Sequence, residues 1–176
     1  MSRMSRAALL GAGSAVALVG LPLMTTFVEA ASAVDADDLG TLQAALELER
    51  AAIKAYQDGA ATGLLSAPVL TVARGFIADH TAHRDALAAA IRAAGAAPSE
   101  RLAHLEYPRL ASEADVLRFA RATEQKAAAT YLSVIPELKD RKLAEVAGAI
   151  LGVETTHVAL LAQALGERSY PSGFVA

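Results

Sequence analysis

The motif Glu-x-x-His occurs once in the sequence, at Glu154-Thr-Thr-His157, and a variant, His80-Thr-Ala-His83, stands 74 residues earlier. Residues three apart share one face of a helix, so each pair can grip one ion from one side. Carboxylate and imidazole together suit divalent transition metals. Each motif is preceded by a Glu and a Tyr seven residues apart, Glu49 with Tyr56 and Glu124 with Tyr131. Seven residues are nearly two full helical turns, so each Glu lies on the same face as its Tyr. Glu49 to His83 is 34 residues and Glu124 to His157 is 33, with Leu87 and Leu161 following at matching places. The two halves therefore superpose as an internal repeat that keeps polar residues inside apolar helices.

If the middles of four antiparallel helices meet at one height, six side chains converge: Glu49, His80, His83, Glu124, Glu154 and His157. Three carboxylates buried without partners would cost several kcal/mol each, by order of magnitude. A bound divalent metal removes that penalty, and Tyr56 and Tyr131 can hydrogen-bond the carboxylates and orient them. A single mid-helix Glu is more often solvated, and Glu47 is expected to be so, on another face than Glu49. A single His on an apolar face is more often ordinary core. Recurrence in both halves weighs for a site, as does the capture of three of the four histidines, with only His104 outside.

Four helices must carry these residues. The first is predicted from about Asp38 to Asp58, with Leu42, Leu46, Ile53 and Tyr56 at helical spacing and Gly59 and Gly63 as its stop. The second is predicted from Ser66, as N-cap, to about Ala94, with Pro68 in its first turn. Ser112-Glu-Ala-Asp115 reads as a capping-box-like start for the third, which stops before Pro136. The fourth begins near Leu138 to Asp140 and ends at Gly166. Short links make antiparallel neighbours of the first and second helices and of the third and fourth. The long segment from Gly95 to Ala111, with Pro98 and Pro108, is able to cross the length of the bundle. The fold class is all-α: an antiparallel four-helix bundle of two hairpins joined by a long crossover, over residues 34–168.

Composition agrees. The chain has 176 residues, is 54% hydrophobic and rich in Ala, a composition that favours helix. With no cysteine, thiolate metal sites, disulfides and cysteine nucleophiles are excluded. Formal charge is -3 and no basic stripe appears, so nucleic acid is not an expected partner. Residues 1–33 read as a signal peptide or membrane anchor: Arg3 and Arg6, no charge from Ala7 to Val28, then Ala31-Ser32-Ala33 as a small-x-small cleavage site. An exported protein of the periplasm or cell envelope follows, membrane-associated only if that segment is retained. Residues 169–176 form a short tail.

Leu46 through Tyr56, Phe76 through His83, Glu124 through Tyr131 and Glu154 through His157 together resemble the ferritin-like superfamily, most of all its exported bacterial members. The resemblance implies Glu49 and Glu124 as terminal carboxylate ligands, Glu154 as a bridge between two metals, and His83 and His157 as ligands of one metal each. It implies iron or manganese, one or two ions, with zinc a third candidate, and a redox centre acting on ferrous iron or peroxide in which Glu49, Glu124 and Glu154 carry the catalysis. It also admits a homo-oligomer. One position departs: His80 stands where the family has a second bridging Glu, and a neutral imidazole does not bridge as a carboxylate does. Asp79 is adjacent but rotated about 100° off the face. A single ion or an asymmetric pair therefore stands beside the dinuclear reading. Metal binding without turnover, and a degenerate bundle serving structure or interaction, are the alternative functions.

Overall fold

In a computed structural model, residues 34–169 form four α-helices: α1 (Ala36–Ala61), α2 (Ala67–Ala93), α3 (Glu113–Val134) and α4 (Arg141–Ala164). The leader or anchor expected at residues 1–33, and the tail beyond Ser169, lie outside the described residues.

The helix ends follow local chemistry. Asp35 caps α1 by accepting from the Asp37 N–H at 3.0 Å. The helix runs through Gly59, which the sequence suggested as a stop, and turns at Gly63, where φ is +71°. Gly59 serves packing instead: a Cβ there would lie 3.1 Å from Val116 Cγ1 of α3. Ser66 sits at the N-cap of α2, but its side chain makes no capping bond. Its backbone N–H donates to the Glu113 carboxylate, tying the start of α2 to the start of α3. Ser112 Oγ accepts from the Asp115 N–H at 3.2 Å, and the Asp115 carboxylate accepts from the Ala111 N–H at 3.2 Å, a reciprocal cap. At Pro136 the third helix gives way to a 3₁₀ turn, Ile135–Glu137, and Asp140 then caps α4.

α1 pairs with α2 and α3 with α4, and the hairpins meet where α1 packs on α3 and α2 on α4. The crossover is laid along α1. Gln43 donates to the Ala97 carbonyl at 2.8 Å and accepts from the Ser99 N–H at 2.8 Å. Glu47 is not the solvated residue expected: its carboxylate accepts from Ser99 Oγ at 2.6 Å and its carbonyl from the Ala103 N–H at 2.9 Å. Further along, Tyr107 packs on Phe119 of α3, with ring centroids 4.9 Å apart.

At the other end, Asp38 is almost fully buried and accepts from two backbone donors, the N–H of Lys139 at 3.0 Å and of Asp140 at 2.9 Å. One α1 carboxylate thus fixes the link that starts α4. The core falls into two apolar clusters. One holds Leu42, Leu46, Leu87, Ile91, Tyr131, Leu143 and Ile150. The other holds Tyr56, Phe76, Leu117 and Leu161. The six polar residues lie in the layer between them. By length and composition α4 could cross a membrane; in the bundle one face of it is buried and brings Glu154 and His157 inside.

Candidate metal centre

Each helix delivers its share from the face that its apolar neighbours define. Glu49 comes from α1, His80 and His83 from α2, Glu124 from α3, and Glu154 and His157 from α4; all six are buried. Their ligand atoms form two overlapping groups. Glu49, His80, His83 and Glu154 make one, and His80, Glu124, Glu154 and His157 the other; within each, the atoms lie inside 4.8 Å of one another. Glu154 and His80 belong to both.

His80 lies between the carboxylates of Glu49 and Glu124. Its Nδ1 is 2.8 Å from Glu49 Oε2 and its Nε2 is 3.2 Å from Glu124 Oε1. His83 Nδ1 faces Glu154 Oε1 at 3.1 Å, and His157 Nδ1 faces Glu154 Oε2 at 3.3 Å. The tyrosines cross between the halves. Tyr131 of α3 donates to Glu49 Oε1 at 2.6 Å, and Tyr56 of α1 donates to Glu124.

Burial alone would push the histidines toward neutrality, but the carboxylates outweigh it. They raise His80 to about 11, and His83 and His157 to about 9. Burial likewise raises Glu49, yet the bonds from His80 and His83 overcome it and bring the carboxyl down to about 2. Burial raises Glu124 too, but the bonds from His157 and His80 hold it low, whereas burial prevails at Glu154 and raises it. Both tyrosine hydroxyls are pushed well up, by burial first and then by the facing carboxylates, so they stay protonated donors.

Two contributors escaped the sequence reading. Asp79 does not face the six, in keeping with its rotation, but it enters the seam between α2 and α4 and accepts from His157 Nε2 at 3.1 Å. Phe76 stacks on the His157 ring, with centroids 3.8 Å apart and planes 21° from parallel. Its signal was present, since it precedes His80 by one helical turn. Asp79 carried none, because spacing along one helix does not say which neighbour fills the adjoining seam.

A family profile described as Ferritin-like domain matches residues 37–167, the whole bundle. The chain belongs to the ferritin-like domain family. Solved structures agree on the fold. A ferritin-like, diiron-carboxylate protein from Bacillus anthracis is 21% identical with a TM-score of 0.62, covering 72% of this chain and 94% of its own. A conserved hypothetical protein from Mycobacterium tuberculosis is 21% identical with a TM-score of 0.66, covering 77% and 94%. Rhodobacter capsulatus bacterioferritin is 23% identical with a TM-score of 0.67, covering 75% and 85%. No curated protein matches the sequence.

Proposed function

We propose that this ferritin-like protein binds iron or manganese in the bundle core and uses it as a redox centre that oxidises ferrous iron or consumes peroxide. One observation carries the reading. Among the described residues, five buried ligand atoms of the polar layer make no well-formed hydrogen bond, the two histidine nitrogens meeting carboxylates only as ion pairs at 3.1 Å or more: His83 Nδ1, Glu124 Oε2, both oxygens of Glu154, and His157 Nδ1. An unsatisfied buried polar atom costs about 1–3 kcal/mol, and more when charged. All five lie in one layer, divided between the two overlapping groups, and one or two divalent cations bound there would satisfy most or all of them. The donor set of carboxylate and imidazole fits iron or manganese chemically, and zinc equally well. The Bacillus anthracis protein is a diiron-carboxylate protein and the Rhodobacter capsulatus bacterioferritin has a dinuclear site, which supports a redox metal here.

Glu49, Glu124, Glu154, His80, His83 and His157 are the residues that would hold the metal. The metal supplies electron transfer to an oxidant and Lewis acidity. The protein supplies the rest. Tyr131 and Tyr56 hold Glu49 and Glu124 in orientation from opposite sides. With a metal bound, Asp79 would hold the remaining proton of His157 on Nε2 and leave Nδ1 for the ion. The apolar clusters above and below exclude water and strengthen every electrostatic contact in the layer.

The proposal extends to location. The basic start, uncharged stretch and small-x-small site in residues 1–33 support export to the cell envelope. Mass measurement of the mature protein from its native host tests this, and an intact amino terminus on a protein in the cytosolic fraction refutes it.

The activity test is aerobic addition of ferrous iron, or of hydrogen peroxide, to metal-loaded protein, against the Glu124→Ala/His157→Ala double variant. Turnover no faster than the double variant removes the redox half of the reading. Failure of the parent protein to retain iron, manganese or zinc on dialysis removes both halves.

A further inference from the structure

We propose that this centre is built for one metal ion, held by His80 Nε2, Glu124, Glu154 and His157 Nδ1, and that His80 closes the second position by donating its Nδ1–H to Glu49. The inference rests on the proposed metal-binding reading and narrows it to a number and a place.

A neutral imidazole has one lone pair, so His80 serves one of the two overlapping groups and must keep a proton toward the other. The contacts say which. Each oxygen of Glu49 already accepts a bond, Oε1 from the Tyr131 hydroxyl at 2.6 Å and Oε2 from His80 Nδ1 at 2.8 Å. Glu124 is not, because Tyr56 and His80 both meet its Oε1 and leave Oε2 buried without a partner. On binding a metal, His80 gives up the proton on Nε2, at the longer contact, and keeps the one on Nδ1, at the shorter.

The two outer histidines differ in the same sense. The Asp79 carboxylate accepts from His157 Nε2, so a metal takes the Nδ1 position, which lies 3.3 Å from Glu154 and 3.5 Å from Glu124. In the repeat, the position equivalent to Asp79 is Val153, the residue before Glu154. His83 meets Glu49 and Glu154 through Nδ1, and among the described residues no carboxylate fixes its other nitrogen. Both departures from the internal symmetry, His80 for a Glu and Val153 for an Asp, thus favour the same half of the centre.

Charge permits one ion: three carboxylates face this layer, and one dication leaves a single negative charge, which needs no further anion, whereas two dications would leave a single positive charge that does.

The test uses the full chain and manganese(II) alone. Equilibrium dialysis with elemental analysis is expected to find about one tight Mn(II) per chain, with the electron paramagnetic resonance spectrum of an isolated ion. His80→Glu is expected to raise uptake to about two, with a spin-coupled spectrum. His157→Gln should weaken the tight site by about tenfold or more, and His83→Gln by less than about threefold. These two variants keep charge and test the assignment even if His80→Glu does not fold. Two coupled ions in the parent protein, or equal losses in the two Gln variants, overturn the proposal while leaving metal binding intact. No retained Mn(II), with no zinc or iron either, overturns the metal-binding reading itself.

Discussion

Replacing Asp79 isolates a single contact whose effect falls on the metal and not on the fold. Its Oδ2 lies 3.1 Å from His157 Nε2, and its side chain is 44% exposed. A hydrogen bond to a charged group contributes about 1.5–3 kcal/mol when buried, and partial exposure places this one at the low end. About 1.4 kcal/mol is a tenfold change in affinity, which is also the low end of what partners of metal-bound histidines contribute. Asp79→Ala is therefore expected to weaken Mn(II) or Zn(II) binding about tenfold. Asp79→Asn keeps an oxygen acceptor without the charge and should weaken it about threefold. The affinity is read by competition with a chromophoric chelator, and thermal melts of metal-free protein serve as the control. Since Asp79 is half solvated, the metal-free melt should change by less than about 1 kcal/mol. In a His157→Gln background, Asp79→Ala should add nothing. An unchanged affinity in Asp79→Ala, or the same tenfold loss in the His157→Gln background, would refute the argument that Asp79 acts through His157.

Two further outcomes follow from the geometry. Asp38→Ala removes two charge-assisted bonds to the Lys139 and Asp140 N–H groups and should cost about 3 kcal/mol, or roughly 10 °C in Tm; denaturant melts check it, and a loss below about 0.5 kcal/mol contradicts the clamp. The pH dependence should reverse with metal. The histidines are raised from 6.5 to about 9 or 11, so their contribution to metal-free stability is complete below 6.5 and is lost as pH climbs through 9. Glu49 is lowered from 4.5 to about 2, so its contribution is present above 4.5 and is lost as pH falls toward 2. Metal-free protein should therefore melt lower at pH 9 than at pH 6. The Tm gain on adding Mn(II) should grow over the same interval, because ligands must shed protons to bind. A metal-free Tm that does not fall between the two pH values contradicts the ion pairing described.

The bundle was legible because its signals are local. Ser112 with Asp115, Pro136 and Gly166 punctuate the chain through bonds or dihedrals made within a few residues. The polar layer was legible for another reason: the spacing of Glu49, Glu124, His83 and His157 recurs in both halves. What escaped belongs to contacts between helices. Nothing near Asp38 in sequence announces that its carboxylate reaches residues about a hundred positions away. Glu47 read as solvated because helical periodicity is blind to a connector laid along the helix. Gly59 read as a stop, although its missing Cβ answers to Val116 on another helix. The tyrosines were legible as neighbours of the site, but not their choice of partner across the halves.

That choice has a consequence for how such a centre can arise. Each half's tyrosine holds the other half's glutamate, so neither hairpin alone completes its own carboxylate. Two identical hairpins related by a twofold axis could make the same crossed pairing, but they would place the same residue at both positions nearest that axis. A symmetric ancestor is confined to two glutamates there, or to two histidines. Once the hairpins are joined in one polypeptide the two positions change independently, so His80 can stand on one side and Glu154 on the other.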